Sequence, residues 1–428
     1  MSRAVLLGSL ILILVLAGLA TLRGAFVALS MPLLVYVLYG FWLSPDRIEL
    51  QAQREIGAER VPVQTPVKIR VTITNIGPGL EELALQDALV AGLSITDGCN
   101  HHLISLARGG TFSFEYTVSG PRGSFPFEGI HIEGGDTLGL IRLPQNLPVS
   151  GQLFVLPDVT RVRQVYIRPR RTRAYAGTIP ARVGGPGVEF FGVRDYEPGD
   201  SPRQINWRVS ARHPENLYSN EYQQERVADV GIVLDGRERS NLFGGYSLFE
   251  HSVEAAGALA DTFLAQGNRV GLLVYSQYVQ WTLPGYGKLQ RERILHALAG
   301  ARTGASQVFD GLQYLPTRMF PSESQIVLVS PLVEDDYSTL IQLRARGYQV
   351  LVITPDPVSF EQAHLLRGRK GYGAANVELA TRIVRMERRL MLGRLQRAGL
   401  QVVEWDVARP FEQAVRGSLR RQRQGTRR

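Results

Sequence analysis

Cysteine and lysine are the scarce residues of this 428-residue chain, and their scarcity removes whole classes of chemistry. The single cysteine, Cys99, excludes an intrachain disulfide framework and any cysteine-based zinc or iron–sulfur site. Lysine occurs only at 68, 288 and 370, which leaves few candidates for lysine-based catalysis. No G-x-x-x-x-G-K-[ST] stretch exists, so the chain is not itself an ATPase of the P-loop kind. A G-x-S-x-G elbow is missing too, and the seven histidines show neither H-E-x-x-H nor a paired helical spacing. Gly184-Gly-Pro-Gly187 is glycine-rich but does not lead from a strand into a helix, so it reads as connector. Cys99, His101 and His102 lack a fourth ligand at usable spacing and read as a polar loop. The expectation is a non-enzymatic protein with no cofactor.

What is present is apolar residue and arginine. Hydrophobic residues make up 44% and charged ones 20%, which argues against wholesale disorder. The net charge of +9 is nearly all arginine and is uneven. Six arginines fall within Arg161–Arg173, and seven within Arg409–Arg428 against the single acid Glu412. Such clusters suit anionic lipid, nucleic acid or an acidic protein. Base-stacking aromatics are sparse among them, Tyr166 in the first and Phe411 in the second, which argues against nucleic acid.

Ala4–Leu22 and Ala25–Leu43 are free of charge and separated by Arg23–Gly24. Each would be about 28 Å long as a helix, against roughly 30 Å of hydrocarbon. Tyr36, Tyr39, Phe41 and Trp42 collect where an interface would lie, and Pro32 is tolerable inside a membrane helix. The first run is longer than a signal-peptide core of about 7–15 residues and a second apolar run follows at once, so two spans are expected rather than a signal peptide. Arg3, Arg47 and Arg54 at the outer ends, against Arg23 in the turn, place the soluble bulk in the cytoplasm and the protein in the inner membrane.

From residue 48 to 157 the pattern has period two, as in Val67–Asn75 and Thr111–Val118, with Gly/Pro turns at Gly77-Pro78-Gly79 and Gly120-Pro121. An antiparallel, immunoglobulin-like β-sandwich is expected there. Residues 158–188 read as an Arg/Gly-rich connector. From 226 to 408, apolar strands such as Val230–Asp235 and Gln325–Ser330 alternate with amphipathic helices. That pattern predicts a doubly wound, mostly parallel α/β sheet, with any site beyond the strand ends Asp235, Ser276, Ser330 and Thr354. Residues 409–428 form a basic tail.

The least generic segment is 189–225, which contains Gly192-Val-Arg-Asp-Tyr-Glu-Pro-Gly-Asp200-Ser-Pro-Arg-Gln-Ile-Asn-Trp-Arg-Val-Ser-Ala-Arg212. Asp200 or Ser201 can cap a helix that opens at Pro202, and His213-Pro214 stops it. Trp207 offers a large apolar face, and Arg203 and Arg212 offer donor forks that Asp195 or Asp200 could receive.

The string closely resembles the signature of the domain-of-unknown-function-58 family. Gly192, Arg194, Tyr196, Pro198, Gly199, Asp200, Arg203, Ile205, Asn206, Trp207, Ser210, Ala211 and Arg212 all fit it. Ser119–Gly123 and Asp136–Leu140 look like elements of that family's β-rich domain. The resemblance implies two membrane spans, a von Willebrand factor A-like domain, and partnership with a MoxR-type AAA+ ATPase without a known enzymatic activity.

A von Willebrand A domain often holds Mg²⁺ through D-x-S-x-S, with a Thr and an Asp from later loops. Hard cations need several oxygen ligands. Here Asp235-Gly-Arg-Glu-Arg239 has arginine at both serine positions, and Leu332 stands where an acid is expected. Asp235 is therefore the degenerate metal-site position, its arginines acting as internal counter-ions. Three functions compete: a membrane-tethered interaction module, an anionic-lipid or nucleic-acid binder, and a metal-dependent adhesion or hydrolytic domain. The first is preferred.

Overall fold

A computed structural model describes residues 3–43, 48–135, 142–160, 162, 165, 167, 172–213, 215–238, 247–305, 319–367 and 374–416. Two compact units divide the chain, Met1–Leu156 and Pro157–Arg428. The 136–140 element, Arg239 and the basic tail from 417 onward lie outside the described residues.

The first unit opens with helices α1 (Arg3–Thr21) and α2 (Gly24–Leu43), which pack closely where Gly18 faces Val27. Among the described residues, no helix is long and apolar enough to cross a membrane. That finding corrects the expectation of spans at 4–22 and 25–43, and with it the inner-membrane localisation. α1 is 19 residues long, about 28 Å at 1.5 Å per residue, a little under the roughly 30 Å of hydrocarbon, and it includes the charged Arg3. In α2, Pro32 also removes one backbone donor from the helix interior.

Among the described residues nine strands follow: β1 (Leu50–Ile56), β2 (Arg60–Pro62), β3 (Val67–Asn75), β4 (Leu80–Asp87), β5 (Ser94–Gly98), β6 (His101–Leu106), β7 (Thr111–Ser119), β8 (Gly123–Gly135) and β9 (Arg142–Leu156). They form a four-stranded sheet, β1-β3-β7-β5, and a five-stranded one, β2-β9-β8-β4-β6. Alternation buries Val67, Ile69, Val71 and Ile73 of β3 with Leu83, Leu85, Tyr116 and Ile130 in one core. That core also holds a polar cluster the sequence did not disclose. Arg54 donates from Nε to Asp87 at 3.1 Å, and Tyr116 donates to the same carboxylate at 2.6 Å. Arg54 also reaches the Val149 and Gly129 carbonyls and lies 4.9 Å from the Phe127 ring centroid. Burial and the Asp87 charge push the Tyr116 phenol far above its usual range, so it stays a donor.

The second unit contains β10 (Thr172–Asp195), a 3₁₀ turn at Pro202–Gln204, α3 (Trp207–Ser210), β11 (Tyr218–Asp235), α4 (Leu248–Ala265), β12 (Arg269–Tyr275), β13 (Val279–Gly285) and α5 (Gly287–Gly300). It continues with β14 (Gln325–Val329), α6 (Asp336–Ala345), β15 (Gln349–Pro355), α7 (Pro357–Arg367), α8 (Ala374–Arg397) and β16 (Gln401–Trp405). Strand order is β13-β12-β11-β14-β15-β16, with β10 pairing β11 off that path. Pleating explains the continuous apolar strands. Val230, Ile232 and Leu234 of β11 face one core with α4, while Val233 faces the other with Phe320 and Leu340.

The expected fold class is therefore corrected to a mixed sheet-and-helix protein with several sheets and no spanning helix. The sandwich is not purely antiparallel, because the short β2 pairs parallel to β9. The larger sheet is mixed, because β13 and β10 pair antiparallel to their neighbours. Part of the expected 158–188 connector is strand: β10 follows β11 through four register shifts.

Candidate functional site

The carboxyl end of the seven-stranded sheet brings together residues far apart in the chain. Gly236 lets the chain leave β11 tightly, since a Cβ there would lie 2.8 Å from the Tyr275 carbonyl oxygen. The next side chain, Arg237, folds back under the sheet and is 2% exposed. Its Nε and Nη2 donate to the two Asp235 oxygens at 2.8 Å each. Nη1 and Nη2 donate to the two Asp336 oxygens at 2.9 and 2.8 Å. Ser330 at the end of β14 completes the cluster by donating to Asp235 at 2.6 Å. Asp336 also accepts from the Val333 backbone at 3.1 Å.

One guanidinium thus bridges two buried carboxylates. Burial is the largest influence on Arg237 and disfavours its charge. The hydrogen bonds and attraction of Asp235 and Asp336 together outweigh it, so the proton is held more tightly than usual. The residues do not fit a divalent cation. A permanently charged fork already occupies the space between the two carboxylates, and its own charge would repel a dication. Among the described residues no group of three or more His, Cys, Asp or Glu could hold a metal. Cys99 sits 3.4 Å from His101 Nδ1, and His102 contacts the Cys99 carbonyl oxygen instead of a shared centre.

A second buried arginine lies further along the same strand ends. Arg388 of α8 donates to Thr354 Oγ1 at 2.6 Å, to the Pro331 carbonyl at 2.8 Å and to Glu404 at 3.2 Å. Desolvation lowers its affinity for the proton, with Glu404 and Asp356 opposing. Of the four strand ends expected to border a site, Asp235 and Ser330 meet directly and Thr354 engages Arg388. Ser276 only turns back to the Tyr278 carbonyl.

The 189–225 segment is half closed and half open. Arg194 donates to Asp200 at 2.6 Å, and the other Asp200 oxygen accepts the Glu197 amide at 3.1 Å. The Glu197 amide and then Arg194 hold the Asp200 carboxyl below its usual range, while Asp200 above all raises Arg194. Tyr196 donates to the Asp200 carbonyl at 3.4 Å. Pro198 leads into Gly199, whose φ of +120° only glycine adopts freely. Ser201 holds the N-cap position of the 3₁₀ turn that opens at Pro202, without a side-chain cap bond, and Asn206 caps α3 beyond it: its oxygen accepts the Val209 amide at 3.0 Å, and its nitrogen donates to Asn220 at 2.8 Å. Ser210 accepts the Tyr218 amide at 3.0 Å.

Trp207, Arg203 and Arg212 take no part in this network. All three are exposed, Trp207 at 67%, and no partner of either arginine is recorded among the described residues. Asp200, one of the two acids that could have received the Arg203 or Arg212 fork, is taken by Arg194.

Sequence reasoning read Asp336 as a helix start, which it is, but missed its place in the cluster, and it missed Arg388 altogether. Asp336 stands four residues past the position where an acid was expected, and Arg388 lies on a helix whose exposed side is also rich in arginine. A fully buried Asp235 followed by arginine at i+2 was the available signal that a second acid must be near.

The family profile described as "Protein of unknown function DUF58" matches residues 192–362, a stretch that takes in Arg194, Trp207, Asp235, Ser330 and Asp336. The chain is similar to an uncharacterized Bacillus subtilis protein, YeaD, at 26% identity over 263 residues, 59% of this chain and 63% of that protein. It is also similar to the uncharacterized Mycobacterium tuberculosis protein Rv1480, at 31% identity over 133 residues, 29% of this chain and 38% of that protein. The chain therefore spans less than two thirds of the length of these relatives. Among solved structures, a CARDB domain from Pyrococcus furiosus matches 25% of this chain at 14% identity with a TM-score of 0.18.

Proposed function

We propose that this chain is a non-enzymatic interaction module that works with a MoxR-type AAA+ ATPase in the assembly or maturation of other proteins. Its sheet domain is read as von Willebrand A-like. The strand order β13-β12-β11-β14-β15-β16, with an antiparallel edge strand, supports that reading. In this reading the Arg237 guanidinium takes the place of a metal, so binding cannot run through a shared cation.

The observation that carries the proposal is the exposure of Trp207 beside a network that needs nothing from it. A large aromatic with flanking arginines, held on a capped turn, is the usual chemistry of an interface anchor. The test measures binding of the purified chain to a MoxR-type ATPase. Trp207→Ala or Arg212→Ala is expected to weaken binding by more than about 2 kcal/mol while leaving melting unchanged. Stable variants that bind as well as the parent would sink the reading.

A further inference from the structure

Helix α8 is buried along one side only. Thr381, Arg388, Leu392 and Leu395 face inward. On the other side Leu379, Ile383, Met386 and Leu390 are 61%, 55%, 65% and 52% exposed. Single exposed apolar residues are ordinary, but four in the 4-3-4 spacing of a helix–helix seam are not. Beside the seam, Ala380 and Val384 border a groove of about 440 Å³ closed by Leu365 and Val358 of α7. The apolar surface thus has the length and width to receive one more helix.

Its charges state what kind. Arg382 and Arg389, seven residues apart, line one flank of the seam, and Arg394 and Arg397 are exposed beyond it. The exposed acids of the helix are Glu378 and Glu387. Arg382 bonds Glu378 at 3.0 Å, but both side chains are mostly exposed and such pairs are weak. A second copy fits poorly. Antiparallel pairing sets the Arg382 and Arg389 rows against each other, parallel pairing offsets each Arg382–Glu387 attraction with an Arg389–Arg394 repulsion, and the chain carries +9 overall.

We infer that the outer face of α8 docks an amphipathic helix with acidic flanks, supplied by a partner protein. The surface lies outside the 190–213 segment, so it goes beyond the function proposed above and is tested separately.

The experiment titrates the full chain with a synthetic peptide of about three heptads, leucine at the seam positions and glutamate beside them. A lysine-flanked peptide of the same seam and a scrambled one are the controls. The glutamate peptide is expected to bind, and to weaken as salt rises from about 0.05 to about 0.5 M. Ile383→Asp and Met386→Asp should each raise its Kd about tenfold or more at unchanged melting temperature. The double variant Arg382→Glu, Arg389→Glu should transfer preference to the lysine peptide, and Trp207→Ala should change nothing. Equal binding of both peptides, or binding of neither, overturns the inference. So does self-association of the parent chain that Ile383→Asp abolishes, or retention on anionic vesicles by the same face without peptide binding.

Discussion

The carboxyl end of the large sheet and the 189–225 segment both set arginine against carboxylates, with opposite results. At the sheet, Arg237 is sealed between Asp235 and Asp336, with every fork nitrogen engaged and almost no surface. In the segment, Arg194 ties one turn to Asp200 at the surface, and that leaves Arg203, Arg212 and Trp207 outward. Burial decides the difference. A guanidinium out of water must be matched bond for bond, whereas one in water is free to wait for a partner. The first arrangement is therefore structural and the second is available for recognition.

The largest effect expected from this contrast is at Arg237. Arg237→Leu strands two buried carboxylates and should cost about 3–5 kcal/mol in denaturant unfolding. Arg203→Ala or Trp207→Ala should stay within about 0.5 kcal/mol in the same measurement. Equal losses at Arg237 and Trp207 would erase the distinction between the two regions.

Next comes the response to Mg²⁺. The parent chain should show no rise in melting temperature at millimolar Mg²⁺, because the guanidinium occupies the space between the carboxylates. Arg237→Ser places a hydroxyl beside Asp235, Ser330 and Asp336, all oxygen donors suited to a hard cation. That variant should regain stability as Mg²⁺ is added, since a ligand of the folded state alone raises melting. A shift of several degrees in the parent would break the account.

The smallest effect is the acid response of the segment. The Glu197 amide and Arg194 depress the folded-state affinity of Asp200 for a proton. Its contribution is therefore complete above the ordinary carboxylate range and is lost as pH falls through the depressed folded value. Asp200→Asn should remove that component of acid sensitivity, read as a flatter dependence of melting temperature on pH in the acid range. An unchanged profile would mean that Asp200 stabilises nothing there.

Local periodicity carried much of this molecule. The alternation in Val67–Asn75 appears as β3, and the apolar run Val230–Asp235 as the end of β11. Apolar length alone misled at the N-terminus, where the charge-free runs form the helical pair α1 and α2. One helix was expected from Pro202 with Asp200 or Ser201 as its cap; a 3₁₀ turn does open there behind Ser201, but Asp200 is taken by Arg194 and the side-chain cap is Asn206, on a second short helix. Arg54 with Asp87 was not legible at all, since their 33-residue separation has no local signature.

By itself the sequence determined where most strands and helices of the large sheet lie, though not β10 or α7, that Asp235 has arginine where oxygen ligands would be needed, and that 192–212 is a special segment. Those are properties of spacing and residue type within a few neighbours. The tertiary structure alone decided that Asp336, 99 residues away, meets Arg237, and that Trp207 faces water. It also left Leu379, Ile383, Met386 and Leu390 of α8 exposed. Such outcomes depend on strand order and register, which set which strand ends share a rim and which helix faces stay uncovered. No local pattern encodes them.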